Sequence, residues 1–373
     1  MSWNWQQPDW PNFAYDAKRL RSREDRFLKG AGVLVGVMAH LDSDDRQNLT
    51  IELMAQEAVD SSAIEGEILD RASVQSSVAK HLGIKADHRR ANAAEAGAAE
   101  LMANLFHSYR EPINDAMLFH WHALLLNGRR DLADIGRYRT HTDPMQIVSG
   151  ALHAPQVHFE APPSQAVPGE MDAFIAWFND TRPADPSPVS ALARAGIAHL
   201  WFESIHPFED GNGRLGRAIA EKALAQGLDA PAITALAEII QRHRKDYYTQ
   251  LQRASLSNRI DEWLDWFSDI ALAAQQRTLE RVHFLLTKVK LLDRLRDQIN
   301  ARQEKALFRL FADGPDGFRG GLSAANYRII TGAAPATTTR DLAELVELGA
   351  LRRKGELKHT RYYLNLVNDQ PPS

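Results

Sequence analysis

The chain has 373 residues, 44% hydrophobic and 25% charged, with a formal net charge of −4. That length predicts two or three domains with a full core, and the balanced charge excludes a whole-protein electrostatic footprint for nucleic acid or an anionic membrane. Cysteine is absent, which removes disulfides, thiolate catalysis and cysteine-ligated zinc or iron–sulfur chemistry and fits a cytoplasmic setting. Charges interrupt every apolar stretch before membrane-spanning length, and residues 1–5 lack the basic-then-apolar order of a signal peptide.

Residues 1–25 hold Trp3, Trp5 and Trp10 with Pro8 and Pro11 and read as an irregular arm laid on a domain surface. From about 27 to 300 the pattern is mostly helical. Ile51, Met54, Ala55, Ala58 and Val59 recur at the spacing of one helix face. That helix continues into Ser61-Ser62-Ala63-Ile64-Glu65-Gly66. Ser61 and Glu65 are four apart and share a face, and Gly66 can end the helix. Taken alone, these residues are an ordinary surface glutamate with a helix-stop glycine.

Between Met145 and Phe159 the helical habit breaks. Residues 145–148 and 157–159 predict a short β-hairpin around a turn at Ser149-Gly150, ended by Pro162-Pro163. Residues 183–188 form a proline-rich loop in which Ser187-Pro188 starts a helix, and the apolar run 189–205 fills that helix. Past Ala301 the spacing predicts helices over 306–311, from Ser323, and from about Thr337 to Gly349, then strands at 351–353 and 360–366. Helix, helix, helix, β-hairpin is the order of a winged helix. The domain boundary falls near 285, with the basic helix at 288–297 as connector. Thr337, Thr338, Thr339 and Arg340 start the candidate recognition helix. Arg352, Arg353, Lys354, Lys358, His359 and Arg361 fall on the candidate wing. The basic excess there is weak, which leaves DNA binding and docking of a substrate or a second copy equally open.

The densest chemistry lies in His206-Pro207-Phe208-Glu209-Asp210-Gly211-Asn212-Gly213-Arg214-Leu215-Gly216-Arg217. An apolar helix ends at Ile205, a glycine-flanked turn follows, and a new helix begins near Gly213. Backbone N–H groups at such a helix start cradle an anion. Arg214 and Arg217 share a helix face, and guanidinium forks suit phosphate oxygens. Asp210 offers a hard oxygen to Mg²⁺ beside the cradle, and His206 can take a proton near neutral pH. Within twelve residues these groups describe phosphate-transfer chemistry. Gly211 to Gly216 also spells G-x-G-x-x-G, but a helix rather than a strand precedes it, which excludes a dinucleotide-binding βαβ unit. No P-loop sequence occurs.

The segment resembles the signature of the Fic family, H-x-F-x-[DE]-G-N-G-R-x-x-R, at every position. Gly136-Arg137-Tyr138-Arg139, the hairpin, and Tyr247-Tyr248 with Trp263 and Trp266 extend the likeness. The resemblance implies a mainly α fold: a Fic helical core with a hairpin flap and a C-terminal winged helix. It divides the chain into 1–100 (arm and helices), 101–284 (core) and 285–373 (winged helix). It implies a protein adenylyltransferase, moving AMP from ATP to a Ser, Thr or Tyr hydroxyl of a protein, itself included. His206 would be the base, Asp210 the Mg²⁺ ligand and Phe208 a core anchor of the loop. Gly211, Asn212, Gly213, Arg214, Leu215, Gly216 and Arg217 would line the ATP site, with Arg217 on the γ-phosphate. Tyr247 and Tyr248 would either pack or meet the adenine. Val148, Ser149, Gly150 and Ala151 would be the target-docking flap. Ser61, Glu65 and Gly66 resemble the family's inhibitory motif, in which Glu65 pairs with Arg217. The alternatives are removal of AMP with Glu65 positioning a water, and a DNA-binding regulator with a Fic sensor domain. A homodimer stays open.

Overall fold

The computed structural model describes residues 2–84, 89–151, 154–183, 188–231, 234–312, 314–318 and 320–366. The chain divides into two compact units, Met1–Thr278 and Leu279–Ser373. Among the described residues no helix is long and apolar enough to cross a membrane.

The first unit is helical apart from one hairpin. Its helices are α1 (Ala17–His40), α2 (Ser43–Ile64), α3 (Arg71–His81), α4 (Ala93–Ser108), α5 (Asp115–Leu125), α6 (Val167–Asp180), α7 (Ala191–Ile205), α8 (Asn212–Leu228), α9 (Leu236–Arg242), α10 (Arg244–Ala254) and α11 (Asp261–Arg294), the last running across the division. Local chemistry explains the starts. Asp42 caps α2 by accepting from Asp45 N at 2.8 Å, and Asn92 with Glu95 forms a capping box on α4. On α2, Ile51, Met54, Ala55 and Ala58 are buried while Val59 is half-buried. Full burial of a side chain the size of Ile51 or Met54 contributes about 1.5–3 kcal/mol.

The α7–α8 pair is the centre of this unit. Nearly every residue of both helices is buried. α7 starts at Ala191 rather than at the predicted Ser187-Pro188; Ser187 lies outside the described residues. Ser190 gives α7 no side-chain cap. Glu24 of α1 does so instead, its Oε1 accepting from Leu192 N at 3.0 Å and Ala193 N at 3.2 Å. That cap is long-range and has no local signal.

Residues 2–16 of the arm are irregular as expected, with one helical turn at Asn4–Gln6, but 17–25 are not: α1 starts at Ala17, where the Asp16 carboxylate caps it by accepting from Lys18 N at 3.0 Å. Indole donors pin the arm: Trp5 Nε1 to Glu160 O at 2.7 Å and Trp10 Nε1 to Glu170 Oε2 at 2.8 Å. The hairpin is longer than predicted, with β1 (Gln146–Ala151) antiparallel to β2 (Ala154–Glu160). Ser149 and Gly150 are not its turn. They pair with Gln156 and Pro155 within the ladder, and a register shift after Ile147 absorbs one extra residue of β2.

The second unit holds α12 (Ala301–Phe311), α13 (Ala324–Thr331), α14 (Pro335–Glu347), then β3 (Leu351–Lys354) antiparallel to β4 (Arg361–Leu364). Leu322 also bridges Tyr362. Two helices begin earlier than predicted. Asn300 forms a capping box with Gln303 on α12, and Pro335 occupies the first turn of α14, where its missing N–H costs nothing. Leu295, Leu307, Leu310, Tyr327, Leu342 and Leu345 lie in its core.

Candidate active site

The loop after α7 is held by its own side chains and by three distant ones. His206 adopts a left-handed conformation, φ 49° and ψ 61°, which turns the chain sharply. Buried Arg139 grips that turn: Nε donates to His206 O at 2.8 Å, Nη2 to Pro162 O at 2.5 Å and Nη1 to Ser164 Oγ at 2.8 Å. Phe208 is fully buried and stacks on His122, with ring centroids 4.1 Å apart. Gly136 N donates to His122 Nδ1 at 2.9 Å, so Nε2 carries the proton and donates to Asp210 O at 3.1 Å. Asn212 closes the loop with both ends of its amide, accepting from Phe208 N at 3.0 Å and donating to Phe208 O at 2.8 Å. The Asn212 side chain is thus a staple, and what it leaves for a ligand is backbone.

His206 lines a cleft of about 730 Å³ together with Glu65, Gly213, Glu203, Tyr247 and Tyr248. Burial, with Arg139 nearby, lowers its pKa to about 4 against the pull of the Glu203 carbonyl, Glu65 and Asp210. The ring is therefore neutral at pH 7 and free to accept a proton.

Beyond the loop, α8 begins at Asn212 on the left-handed Gly211, φ 82°. The N–H groups of its first turn have no partner within the helix and carry its positive dipole end. The Glu65 carboxylate packs against this turn at Gly213, where a built Cβ would sit 2.2 Å from Glu65 Oε1. Glu65 Oε1 is also 2.8 Å from Arg217 Nη1. Arg217 is buried and held from two further sides, with Nε donating to Ser61 Oγ at 3.0 Å and Nη2 to Ser61 O at 2.8 Å. Burial opposes its charge, but Glu65, Tyr247 and Glu203 outweigh that and raise its pKa.

The end of α2 explains how Glu65 reaches this place. Gly66 is left-handed at φ 85°. Gly66 N donates to Ala63 O at 3.1 Å and Glu67 N to Ser62 O at 3.0 Å, the paired bonds of a Schellman motif. Glu65 is the C-cap of that motif.

The other predicted residues divide. Arg214 is buried and pairs with Glu67 Oε2 at 2.7 Å. Leu215 is fully buried in the core, and Gly216 packs against Glu203 and His199, where a Cβ would meet Glu203 Oε1 at 2.6 Å. Tyr247 is buried with its hydroxyl 2.9 Å from His199 Nε2, so it packs as well as lining the cleft. Tyr248 is 41% exposed and its hydroxyl donates to Ile64 O at 3.3 Å. Burial, then Glu65, raises its pKa. Val148 and Ser149 line the same cleft from β1, and the backbone of Gly150 and Ala151 completes that strand.

Asp210 is partly exposed beside the α8 start. Its Oδ1 accepts from Gly211 N at 2.6 Å and its Oδ2 pairs with Arg129 Nη1 at 2.8 Å. Among the described residues no group of three His, Asp or Glu side chains forms a metal cage.

Sequence reading missed Arg129, His122, Glu67 and Glu203. Glu203 is half-buried at the cleft wall, with Oε2 3.8 Å from His206 Nδ1. Burial, helped by Glu65 and opposed by Arg217, raises its pKa to about 8. Its position three residues before His206 on a helix was the available signal. Arg129 and His122 had none, because only tertiary folding brings them to the loop.

Residues 112–224 match the profile of the Fic/DOC family. Residues 3–84 match a domain of unknown function, DUF4172. Over 150 residues the chain is 31% identical to Protein adenylyltransferase Fic of Culex quinquefasciatus, spanning 38% of this chain and 28% of that one. Over 96 residues it is 30% identical to a probable protein adenylyltransferase of Aquifex aeolicus, 26% of each chain. The chain thus spans roughly a quarter of the length of these curated relatives. A crystal structure of a Fic family protein from Desulfovibrio desulfuricans superimposes with a TM-score of 0.52 at 21% identity, covering 94% of this chain and 97% of that one. That likeness shows a mainly helical fold of the same kind.

Proposed function

We propose that this protein is an autoinhibited protein adenylyltransferase, transferring AMP from ATP to a Ser, Thr or Tyr hydroxyl of a protein, itself included. One observation carries the reading. The Glu65 carboxylate lies 2.8 Å from buried Arg217 and packs against Gly213 in the first turn of α8, beside the two features that bind a phosphate. The chain's own anion stands where a nucleotide phosphate would go. Relatives named protein adenylyltransferase support the reaction class.

With Glu65 withdrawn, Arg217 would hold the γ-phosphate, while the first N–H groups of α8 and Arg214 would hold the β-phosphate region. Asp210 fits Mg²⁺ shared with the nucleotide. It is a single carboxylate beside an anion cradle, already balanced by the Arg129 cation, and Mg²⁺ commonly takes one or two carboxylates plus substrate phosphates. When bound, the cation would neutralise phosphate charge. His206 accepts the hydroxyl proton as the acceptor oxygen bonds to the α-phosphorus and the bond to the pyrophosphate oxygen breaks. The loop contributes mostly position and preorganised charge. Val148 and Ser149 place β1 to pair with an extended acceptor segment. We read the second unit as a winged helix, on its order of three helices and a hairpin.

Label transfer from α- and γ-labelled ATP with Mg²⁺ tests this. Protein should be labelled only by the α-label, more strongly in Glu65→Gly, and not at all in Glu65→Gly with His206→Ala. Transfer of the γ-label, or none to any acceptor in folded Glu65→Gly, would overturn the reading.

A further inference from the structure

We propose that Glu67 is a second gating carboxylate of the nucleotide site, closing Arg214 as Glu65 closes Arg217. The inference rests on the reading above. Arg214 is the first signature arginine, and its side chain is only 8% exposed. Its Nη1 donates to Glu67 Oε2 at 2.7 Å, while its Nη2 is 3.7 Å from Asp210 Oδ1. In this closed state Arg217, Arg214 and Asp210 are each matched by a charge of opposite sign from outside the loop: Glu65, Glu67 and Arg129.

Both carboxylates are delivered by one turn. In the Schellman motif that ends α2, Glu65 is the C-cap, Gly66 the left-handed residue and Glu67 the residue whose N–H returns to Ser62 O. The reversal at Gly66 lets two residues that flank it in sequence reach two arginines three apart on α8. The spacing of Glu-Gly-Glu thus answers the spacing of Arg214 and Arg217. Glu67 is 36% exposed on its side chain, so no core packing requires a carboxylate there. A charge-assisted pair to an arginine that is nearly buried competes directly with a phosphate for the same donors.

The two carboxylates should act on different phosphates, which separates them experimentally. Binding of MgATP and MgADP is measured by calorimetry for the wild type, Glu65→Gly, Glu67→Gln and the double variant. Glutamine keeps the Glu67 N–H bond to Ser62, so the turn survives, and an unchanged melting temperature checks it. Glu67→Gln should tighten MgADP about tenfold, the loss of one charge-assisted competitor. Glu65→Gly should tighten MgATP while moving MgADP less than about twofold, and the double variant should bind MgATP more tightly than either. If Glu65→Gly gains MgATP but Glu67→Gln matches the wild type for both nucleotides, Glu67 is a surface contact and the inference fails. If no variant binds either nucleotide, the nucleotide reading itself fails with it.

Discussion

The signature loop and the β1–β2 hairpin face one cleft, yet they are built in opposite ways. Arg139, His122, Phe208 and Asn212 fix the loop from below and within, each through buried groups. The hairpin is fastened at its base. There Phe159 is buried, Trp5 donates to Glu160 O, and Ala161 N donates to Met145 O at 2.9 Å. Further out, Ile147 and Val148 are apolar and exposed. A phosphate site of the kind proposed needs donors held within a fraction of an ångström, which calls for a buried and over-braced frame. A surface that adds a strand from a partner needs open backbone and exposed side chains. The contrast teaches that bracing here follows the chemistry and not secondary structure, since the irregular loop is the more heavily buried and hydrogen-bonded of the two.

The sharpest way to break the contrast is Arg139→Ala. It empties a buried site and strands the carbonyls of His206 and Pro162, so it should cost about 3 kcal/mol or more and lower the melting temperature by many degrees. AMP transfer should fall with it in the Glu65→Gly background. A melting temperature within a degree of wild type would show that the loop does not depend on this brace.

A smaller effect comes from Glu203, below the loop. Its pKa rises on folding from 4.5 to about 8. The folded state therefore holds this proton more tightly than the unfolded one. The resulting stabilisation is complete below about pH 4.5 and is lost as pH rises through about 8. Glu203→Gln should flatten the fall of melting temperature between about pH 4.5 and pH 8. The neighbouring His206, His122 and His199, each with a pKa lowered to about 4 by burial, work the other way: their share is lost as pH falls below about 6.5. An alkaline limb as steep in Glu203→Gln as in the wild type would move the titration elsewhere.

The smallest stability change should come from the hairpin. Val148→Ser removes an exposed apolar side chain, so stability should move less than about 0.5 kcal/mol. The KM for a protein acceptor should still rise several-fold while the KM for ATP stays put. Equal changes in both would mean that the hairpin shapes the nucleotide site as well.

The residue text alone fixed a good deal. Periodicity on α2, the apolar run of α7 and the glycine-flanked turn at 211–213 are local signals, and local backbone preferences produced them. The twelve-residue signature stood out because its glycines, Asn212 and arginines lie close together in the chain, and the loop they form closes on itself through Asn212 and Phe208. The pairing of Glu65 with Arg217, expected from a resemblance to family sequences, is seen as a 2.8 Å contact. Other features had no local trace. The cap on α7 comes from Glu24, the brace of His206 from Arg139 and the partner of Asp210 from Arg129. The hairpin turn lies beyond Ser149-Gly150 because a glycine near the end of a strand reads in sequence like a glycine in a turn. Sequence determined which groups are present and which helices carry them. Tertiary structure alone decided which charges neutralise one another, because electrostatics and burial act through space between residues far apart in the chain.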